Sequence, residues 1–181
     1  MPPTSSLVRA ELDRRGFALN RLRIGLGFDV HRLDAPGSAS EVTLGGVAIP
    51  FDRRIIAHSD GDVVLHALMD AMLGAAALGD IGEHFPDTDS AFAGTSSVCL
   101  LECTANLIRQ SGGRLVNCDL TLIAERPKVR AYIGLMRQAV AHALGRTPSD
   151  IGMKATTSEK LGFVGREEGI AAQAVVLLER T

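Results

Sequence analysis

The sequence predicts a single α+β domain, with one mixed β-sheet and about three helices on one face of that sheet. Segments in which apolar and polar residues alternate, as in strands, are interspersed with segments in which apolar residues recur at helical spacing. These segments do not form repeated βαβ units. The chain has 181 residues, and 46% of them are hydrophobic, which is enough for one buried core. Three helices cover only one face of a sheet, so an apolar opposite face needs a partner chain.

The first strand is predicted at 23–31, where Ile24, Leu26 and Phe28 alternate with glycines and polar residues. The folded domain therefore spans about 22–181, and we interpret residues 1–21 as a flexible N-terminal extension. A second extended stretch is predicted at 42–50, interrupted by Gly45 and Gly46.

The remaining elements are predicted from cap and breaker residues. The first helix begins in the polar loop 57–62, where Ser59 and Asp60 are candidate N-caps, and continues to about Ala77. Gly145 is the expected stop of the third helix. The sequence further predicts helices at 96–110 and 127–144, strands at 114–124, 151–156 and 170–179, a polar loop at 79–89 and a glycine-rich segment at 161–169.

Charge and cysteine content narrow the class of protein. The net charge of -2 argues against a nucleic-acid partner, which requires a basic surface. No apolar run reaches the length of a membrane span, which is about 18 residues, so we expect no membrane partner. Three cysteines make no disulfide framework, which fits a reducing cytoplasm. Cys99 and Cys103, at helical i,i+4 spacing, are expected to be buried thiols, although they could share a metal ion.

A candidate metal site combines the first strand with the first helix. Asp29 and His31 are two residues apart on the strand, so their side chains project to the same side. His66 on the helix would complete a set of two imidazoles and one carboxylate, with the fourth position of a catalytic zinc ion left open. Taken alone, His66 also fits an ordinary core residue. Asp70, one helical turn later, is either a group that orients His66 or a surface acid.

Two further polar segments have alternative interpretations. The loop 79–89 contains Asp80, Asp87 and Asp89, and is either a solvated surface loop or a functional one. The segment 154–160 offers hydroxyl groups, which suit phosphate, and Glu159, which suits a hard cation such as Mg²⁺. Its alternative is a polar turn.

Several motifs then follow one another in a fixed order. They are Gly-Leu-Gly-Phe-Asp-Val-His at 25–31, Ala-His-Ser-Asp-Gly-Asp at 57–62, Leu-His-Ala at 65–67, Leu-Gly-Asp-Ile-Gly at 78–82, Phe-Pro-Asp-Thr-Asp at 85–89, Arg-Pro-Lys at 126–128, Lys-Ala-Thr-Thr at 154–157 and Glu-Lys-Leu-Gly-Phe at 159–163. Together they cover about 23–179. In this region the chain resembles the 2-C-methyl-D-erythritol 2,4-cyclodiphosphate synthase family.

The resemblance implies a phosphorus-oxygen lyase of the non-mevalonate isoprenoid pathway. Its substrate would be 4-diphosphocytidyl-2-C-methyl-D-erythritol 2-phosphate, and its products the 2,4-cyclodiphosphate and CMP. The resemblance further implies a homotrimer with active sites between adjacent subunits. It implies zinc, or another divalent cation, at Asp29, His31 and His66, and Mg²⁺ or Mn²⁺ on the substrate diphosphate at Glu159.

The resemblance also assigns roles to single residues. The catalytic residues are expected to be His58, Ser59, Asp87, Thr157 and Glu159. Expected substrate contacts are His58 and Ser59 with the phosphates, Asp87 with the erythritol hydroxyls, Ala124, Lys128, Ala155, Thr156 and Thr157 with the cytidine moiety, Asp80 and Gly82 with the neighbouring subunit's ribose, and in addition Asp89, Pro127, Phe163 and Arg166.

Two other functions are compatible with the metal ligands alone. The first is a zinc-dependent phosphoesterase, in which water attacks the diphosphate. The second is a non-catalytic trimer that binds a nucleotide or an isoprenoid ligand. Product analysis separates the cyclase from both, because only the cyclase forms CMP and a cyclic diphosphate without incorporating water oxygen.

Overall fold

The computed structural model describes residues 21–57, 59–86, 88–89 and 94–180. Apart from Arg21, the predicted extension 1–21 lies outside these residues. So do His58 and Asp87. Among the described residues, no helix combines the length and the apolar character that a membrane crossing requires.

A mixed five-stranded sheet forms the centre of the domain, as the sequence predicts. The strand order is β4-β1-β7-β5-β6, with β5 and β6 parallel and the other neighbours antiparallel. The strands are β1 (Leu22–Leu33), β4 (Ile55–Ile56), β5 (Gly113–Ile123), β6 (Ile151–Thr156) and β7 (Gly169–Arg180).

The second extended stretch does not join this sheet, so the prediction of one single sheet is wrong. It forms a separate hairpin of β2 (Glu41–Leu44) and β3 (Val47–Pro50). Gly45 and Gly46 connect the two strands with φ angles of 58° and 75°. Two consecutive positive φ angles are the geometry of a tight hairpin turn, so the stretch folds back on itself.

Three longer helices pack on one face of the sheet, as predicted, and two single-turn helices lie in the described loops. The longer ones are α1 (Val63–Ala76), α3 (Ser97–Gln110) and α4 (Ile133–Leu144), and the short ones are α2 (Ile81–His84) and α5 (Gly162–Gly165). α4 begins at Ile133, after a 3₁₀ turn at Arg130–Tyr132, and not at 127. Gly145 ends α4 in the left-handed conformation, as predicted.

The N-cap of α1 is Asp62, and neither Ser59 nor Asp60 as predicted. The buried carboxylate of Asp62 accepts hydrogen bonds from Val64 N and Leu65 N, both at 3.2 Å. It also accepts from Gly45 N at 2.9 Å and Gly46 N at 2.7 Å. One side chain therefore caps the helix and fastens the hairpin to it.

The cysteines of α3 are exposed, so the expectation of buried thiols at Cys99 and Cys103 is wrong. The buried positions of this helix are Leu101, Thr104 and Ile108 with their neighbours one turn away. Cys99 and Cys103 share the opposite, solvent-facing side, because residues four apart lie on the same face of a helix.

The two faces of β1 differ in an unexpected way. The face against α1 carries Gly25 and Gly27, which are buried, whereas Ile24 and Leu26 on the opposite face are 74% and 69% exposed. β7 adds Val175, which pairs with Leu26 and is also exposed. The sheet therefore has a buried face under the helices and an apolar face that the single chain leaves uncovered.

Candidate active site

The approach of α1 to β1 depends on two glycines. A Cβ atom added to Gly25 would lie 1.9 Å from Ala71 O, and one added to Gly27 would lie 1.9 Å from Ala67 O. Any side chain there would collide with the helix backbone. The glycines therefore permit backbone contact between strand and helix, just before Asp29 on the same face of β1.

This contact brings the three predicted metal ligands together. His31 Nε2 lies 3.0 Å from His66 Nδ1 and 3.1 Å from Asp29 Oδ2. His66 Nδ1 lies 3.2 Å from Asp29 Oδ2. No other group of at least three His, Cys, Asp or Glu side chains in the described part of the chain is arranged to hold a metal ion.

The triangle has the size of one face of a small coordination tetrahedron. Bonds of 2.0–2.1 Å to nitrogen and oxygen give ligand separations of about 3.3 Å around tetrahedral zinc. The observed separations of 3.0–3.2 Å are slightly shorter than this value. The donor set therefore fits a divalent cation, with a fourth position open to a ligand.

The protonation of the triad also suits a cation. Burial raises the pKa of Asp29, but the hydrogen bond from His66 and the charges of both imidazoles outweigh it and lower the pKa overall. Burial lowers the pKa of His31 despite the attraction of Asp29. Burial opposes protonation of His66 too, but its hydrogen bond to Asp29 raises the pKa. The site thus offers an ionised carboxylate and a neutral His31, and a bound cation would displace any proton from His66 Nδ1.

The second ring nitrogen of His66 contacts two hydroxyl groups. Nε2 lies 3.0 Å from Ser97 Oγ and 3.2 Å from Ser59 Oγ. The Ser97 hydroxyl donates to Asp60 Oδ1, and Ser97 N donates to Asp60 Oδ2 at 2.9 Å. The sequence did not single out Ser97, because a serine at the start of a helix usually serves as a cap. Asp70, the predicted partner of His66, instead accepts a hydrogen bond from Ile81 N at 2.9 Å.

The triad opens into a cavity of about 500 Å³. Ser59 and Gly82, both predicted as substrate contacts, line this cavity together with apolar residues such as Ile81 and Phe85. Asp80 is the N-cap of α2, and its Oδ1 accepts from Glu83 N at 3.0 Å. Asp89 is exposed in the loop after α2. The polar loop is thus partly helical, and α2 forms one wall of the cavity.

A second group of predicted residues lies at the end of β5 and β6. Ala124 N donates to Thr156 O at 3.0 Å, and Thr157 Oγ1 donates to Glu159 Oε1 at 2.7 Å. Ala155 and Thr156 are exposed, as is Lys128, whereas Pro127 is buried. These residues share one edge of the domain.

Glu125 is a residue of this edge that the sequence did not single out. Glu159 and Lys160 have φ angles of 53° and 65°, which are unfavourable for residues with a side chain. Glu125 is 5% exposed, and its Oε1 accepts from Lys160 N at 3.0 Å and Ser158 N at 3.3 Å. Glu125 thereby holds the turn that presents Glu159.

Phe163 and Arg166 lie at a different place, beside a cavity of about 690 Å³ that also includes Arg32 and Arg53. Arg166 makes two hydrogen bonds to Glu168 of the same chain, at 2.9 and 3.0 Å. His31 lines this cavity as well as the smaller one. Phe163 and Arg166 therefore do not lie with the predicted substrate contacts at the end of β6.

The metal triad and the β6 edge are far apart within one chain. Val30 pairs with Ala171, Ala171 with Ile123, and Ile123 with Thr156, so all four lie in one row across the sheet. Three intervals between adjacent strands correspond to about 14 Å. One chain does not bring the two predicted halves of the site into contact.

The fold and the triad define a class of protein: an α+β domain that can hold a metal ion through three side chains and leave one position open. The model of the YgbB family matches residues 22–179. The chain belongs to this family.

Relatives in the family are similar over most of their length. A protein from Symbiobacterium thermophilum is 56% identical over 155 residues, which are 86% of this chain and 97% of that protein. A protein from Vibrio vulnificus is 54% identical over 157 residues, 87% of this chain and 98% of that protein. Both carry the name 2-C-methyl-D-erythritol 2,4-cyclodiphosphate synthase.

Solved structures agree with this fold. The bifunctional IspDF from Campylobacter jejuni is 42% identical with a TM-score of 0.83, and the match covers 88% of this chain and 42% of that one. An IspF CDP complex from Plasmodium falciparum is 32% identical with a TM-score of 0.77, covering 90% and 98% of the two chains. The α+β fold with a mixed sheet is therefore shared with known synthases.

Proposed function

We propose that this chain is a 2-C-methyl-D-erythritol 2,4-cyclodiphosphate synthase, which converts 4-diphosphocytidyl-2-C-methyl-D-erythritol 2-phosphate into the cyclodiphosphate and CMP. The observation that carries the proposal is the triangle of Asp29, His31 and His66, with edges of 3.0–3.2 Å. It opens into a cavity large enough for part of such a substrate, in a chain whose relatives bear this name.

The reaction is an intramolecular phosphoryl transfer. The 2-phosphate oxygen attacks the β-phosphorus, and the bond to CMP breaks. That oxygen is already ionised at neutral pH, so no side chain has to remove a proton from the nucleophile. The main task of the protein is to hold the two phosphates in attacking geometry, since effective molarities of well-oriented groups contribute about 7–11 kcal/mol.

We assign the metal ligands and phosphate contacts accordingly. Asp29, His31 and His66 would hold a zinc ion or a similar divalent cation, which would supply Lewis-acid polarisation and charge compensation for the phosphates. Ser59, which lines the same cavity, contributes a hydroxyl group to the phosphates. His58 and Asp87 are assigned to the phosphates and the erythritol hydroxyls from the family resemblance, and they lie outside the described residues.

The cytidine moiety is assigned to the β6 edge. Ala124, Lys128 and residues 155–157 would form its pocket, and Glu159 would hold a second cation, Mg²⁺ or Mn²⁺. Thr157 supports this assignment, because its hydroxyl donates to Glu159 Oε1 and so orients the carboxylate. Asp80, Asp89, Pro127, Phe163 and Arg166 stay candidate substrate contacts.

We further propose that the chain works as a homotrimer. Two strands, β7 and β5, lie between the strand of the metal triad and β6, so the triad and the β6 edge are about 14 Å apart. A second copy of the chain is therefore needed to bring a metal triad and a β6 edge together in one active site. The apolar face of Ile24, Leu26 and Phe28, each more than half exposed, provides a surface for that contact. A stable interface would cover these side chains.

The reaction is tested with the purified full-length chain, the cytidine substrate and Mg²⁺ in water enriched in oxygen-18. The proposal predicts CMP and a cyclic diphosphate in equal amounts, both without the heavy isotope, by mass spectrometry and phosphorus NMR. Oxygen-18 in CMP or in a linear phosphate product would identify a phosphoesterase instead. Binding of the substrate without release of CMP would identify a non-catalytic binding protein.

A further inference from the structure

The environment of His66 contains two groups that the proposed reaction leaves without a role. Asp60 lies in the loop before α1 and Ser97 at the start of α3, so they belong to different elements. Ser97 is completely buried, and Asp60 is half-buried. Ser97 donates two hydrogen bonds to Asp60, one from N and one from Oγ, and the same Oγ lies 3.0 Å from Nε2 of His66.

The direction of these hydrogen bonds can be deduced. A carboxylate only accepts, so the proton of the Ser97 hydroxyl points to Asp60 Oδ1. The oxygen of Ser97 is then left with lone pairs toward His66 Nε2, at 3.0 Å. It can only accept a hydrogen bond from the ring. Nε2 of His66 must therefore carry the hydrogen, and Nδ1 faces the triad.

We propose that Asp60 and Ser97 are positioning residues for the metal centre, fixing His66 in the ring orientation and tautomer that present the Nδ1 lone pair to the cation. The inference rests on the proposed metal site. A ligating histidine commonly donates its second N–H to such a partner, and loss of that partner weakens metal binding about 10–100-fold. In this chain the partner is the Ser97 hydroxyl, and the Asp60 carboxylate fixes the direction in which its proton points.

Ser97, rather than Ser59, fills this role. Ser59 is also within 3.2 Å of Nε2, but its hydroxyl oxygen accepts from Gly61 N at 3.2 Å and lines the open cavity. Among the described residues, no carboxylate accepts a hydrogen bond from the Ser59 hydroxyl. The Ser97 hydroxyl is buried and lies closer to the ring than the Ser59 hydroxyl does. Its orientation is fixed on one side by Asp60 and on the other by His66.

The test measures binding of Zn²⁺ and Co²⁺ to metal-free full-length protein, by competition with a chelator and by the visible absorption of bound Co²⁺. Ser97→Ala is expected to raise the Kd about 10–100-fold. The matched control is Thr104→Val, which removes another fully buried hydroxyl from α3, one that donates to Leu100 O at 2.9 Å. The control is expected to lose stability while keeping the wild-type Kd and Co²⁺ spectrum.

A double-mutant cycle separates positioning from simple charge attraction. If Asp60 acts through Ser97, Asp60→Asn raises the metal Kd when it is introduced into the wild-type protein. The same change alters the Kd by less than about threefold when it is introduced into Ser97→Ala protein. Fully multiplicative effects of the two changes would overturn the inference. So would a wild-type Kd in folded Ser97→Ala protein. If Ser97→Ala does not fold, Asp60→Asn alone decides, and a wild-type Kd there overturns the inference.

The outcome is distinguishable from failure of the proposed metal site. Asp29→Ala removes a proposed ligand and must abolish tight binding of Co²⁺ if the site exists. If Asp29→Ala binds Co²⁺ as the wild type does, the metal site itself is wrong. If only Ser97→Ala and Asp60→Asn bind normally, the metal site stands and the positioning role is rejected.

Discussion

Gly27→Ala is the substitution that most directly tests how the fold builds the site. The new Cβ would lie 1.9 Å from Ala67 O, whereas such contacts are essentially never shorter than 3.0 Å. The obstacle is a helix backbone and not a flexible side chain, so β1 and α1 must separate by about 1.1 Å. His66 precedes Ala67 and has to move with it.

Two effects follow from that displacement. Overpacking of this kind typically costs about 1–3 kcal/mol, and we expect the upper end because backbone meets backbone. A shift of about 1.1 Å is also a third of the 3.0–3.2 Å edges of the triad, so binding of Zn²⁺ is expected to weaken at least tenfold. Both stability and metal affinity change, although alanine adds no charge and no polar group.

The assay combines urea unfolding with Zn²⁺ titration of the metal-free protein. Gly74→Ala is the matched control, because a Cβ at Gly74 on α1 meets nothing within 4 Å. It is expected to stabilise the protein by about 0.5–1 kcal/mol through helix propensity. If Gly27→Ala unfolds within about 0.5 kcal/mol of the wild type and binds Zn²⁺ equally well, the glycine argument is wrong.

Two more predictions concern the helix cap and the uncovered face. Asp62→Ala removes the acceptor of four backbone N–H groups and should lower the free energy of unfolding by about 3 kcal/mol, measured with urea. Asp52→Ala, at an exposed ion pair, should change it by less than about 1 kcal/mol, and equal losses would contradict the capping role. Leu26→Asp on the uncovered sheet face should reduce the mass seen by light scattering from trimer to monomer, because the charge would be buried in the interface. Leu135→Asp, on an α4 side chain that is 53% exposed, should leave the mass unchanged, and a wild-type mass for both variants would place the interface elsewhere.

Most of the secondary structure could be predicted because it depends on local patterns. The alternation around Ile24 predicts β1, and Gly145 predicts the end of α4, since a left-handed stop residue is a local requirement. The strand Ile151–Thr156 was predicted with its observed bounds. Asp29 and His31 could be grouped because strand periodicity places their side chains on one face, whereas His66 was added as a third ligand of suitable type and by the family resemblance.

The residues whose roles the sequence did not reveal depend on contacts between distant parts of the chain. Asp62 caps α1 because the hairpin turn supplies two further N–H donors, which the sequence around Ser59 does not reveal. Ser97 and Glu125 acquire their roles only from partners more than 30 residues away. The apolar side of β1 faces outward because glycines, and not large side chains, meet the helix. No local pattern encodes such packing choices.

Metal content per chain tests the central claim most directly. Equilibrium dialysis against Zn²⁺, followed by elemental analysis, should give one tightly bound ion per wild-type chain. His31→Ala should retain the fold by circular dichroism but bind none and release no CMP, whereas His142→Ala, on the exposed side of α4, should match the wild type in both respects. One ion per chain together with normal CMP release in His31→Ala would contradict the claim that the Asp29, His31 and His66 triangle holds the cation required for cyclisation.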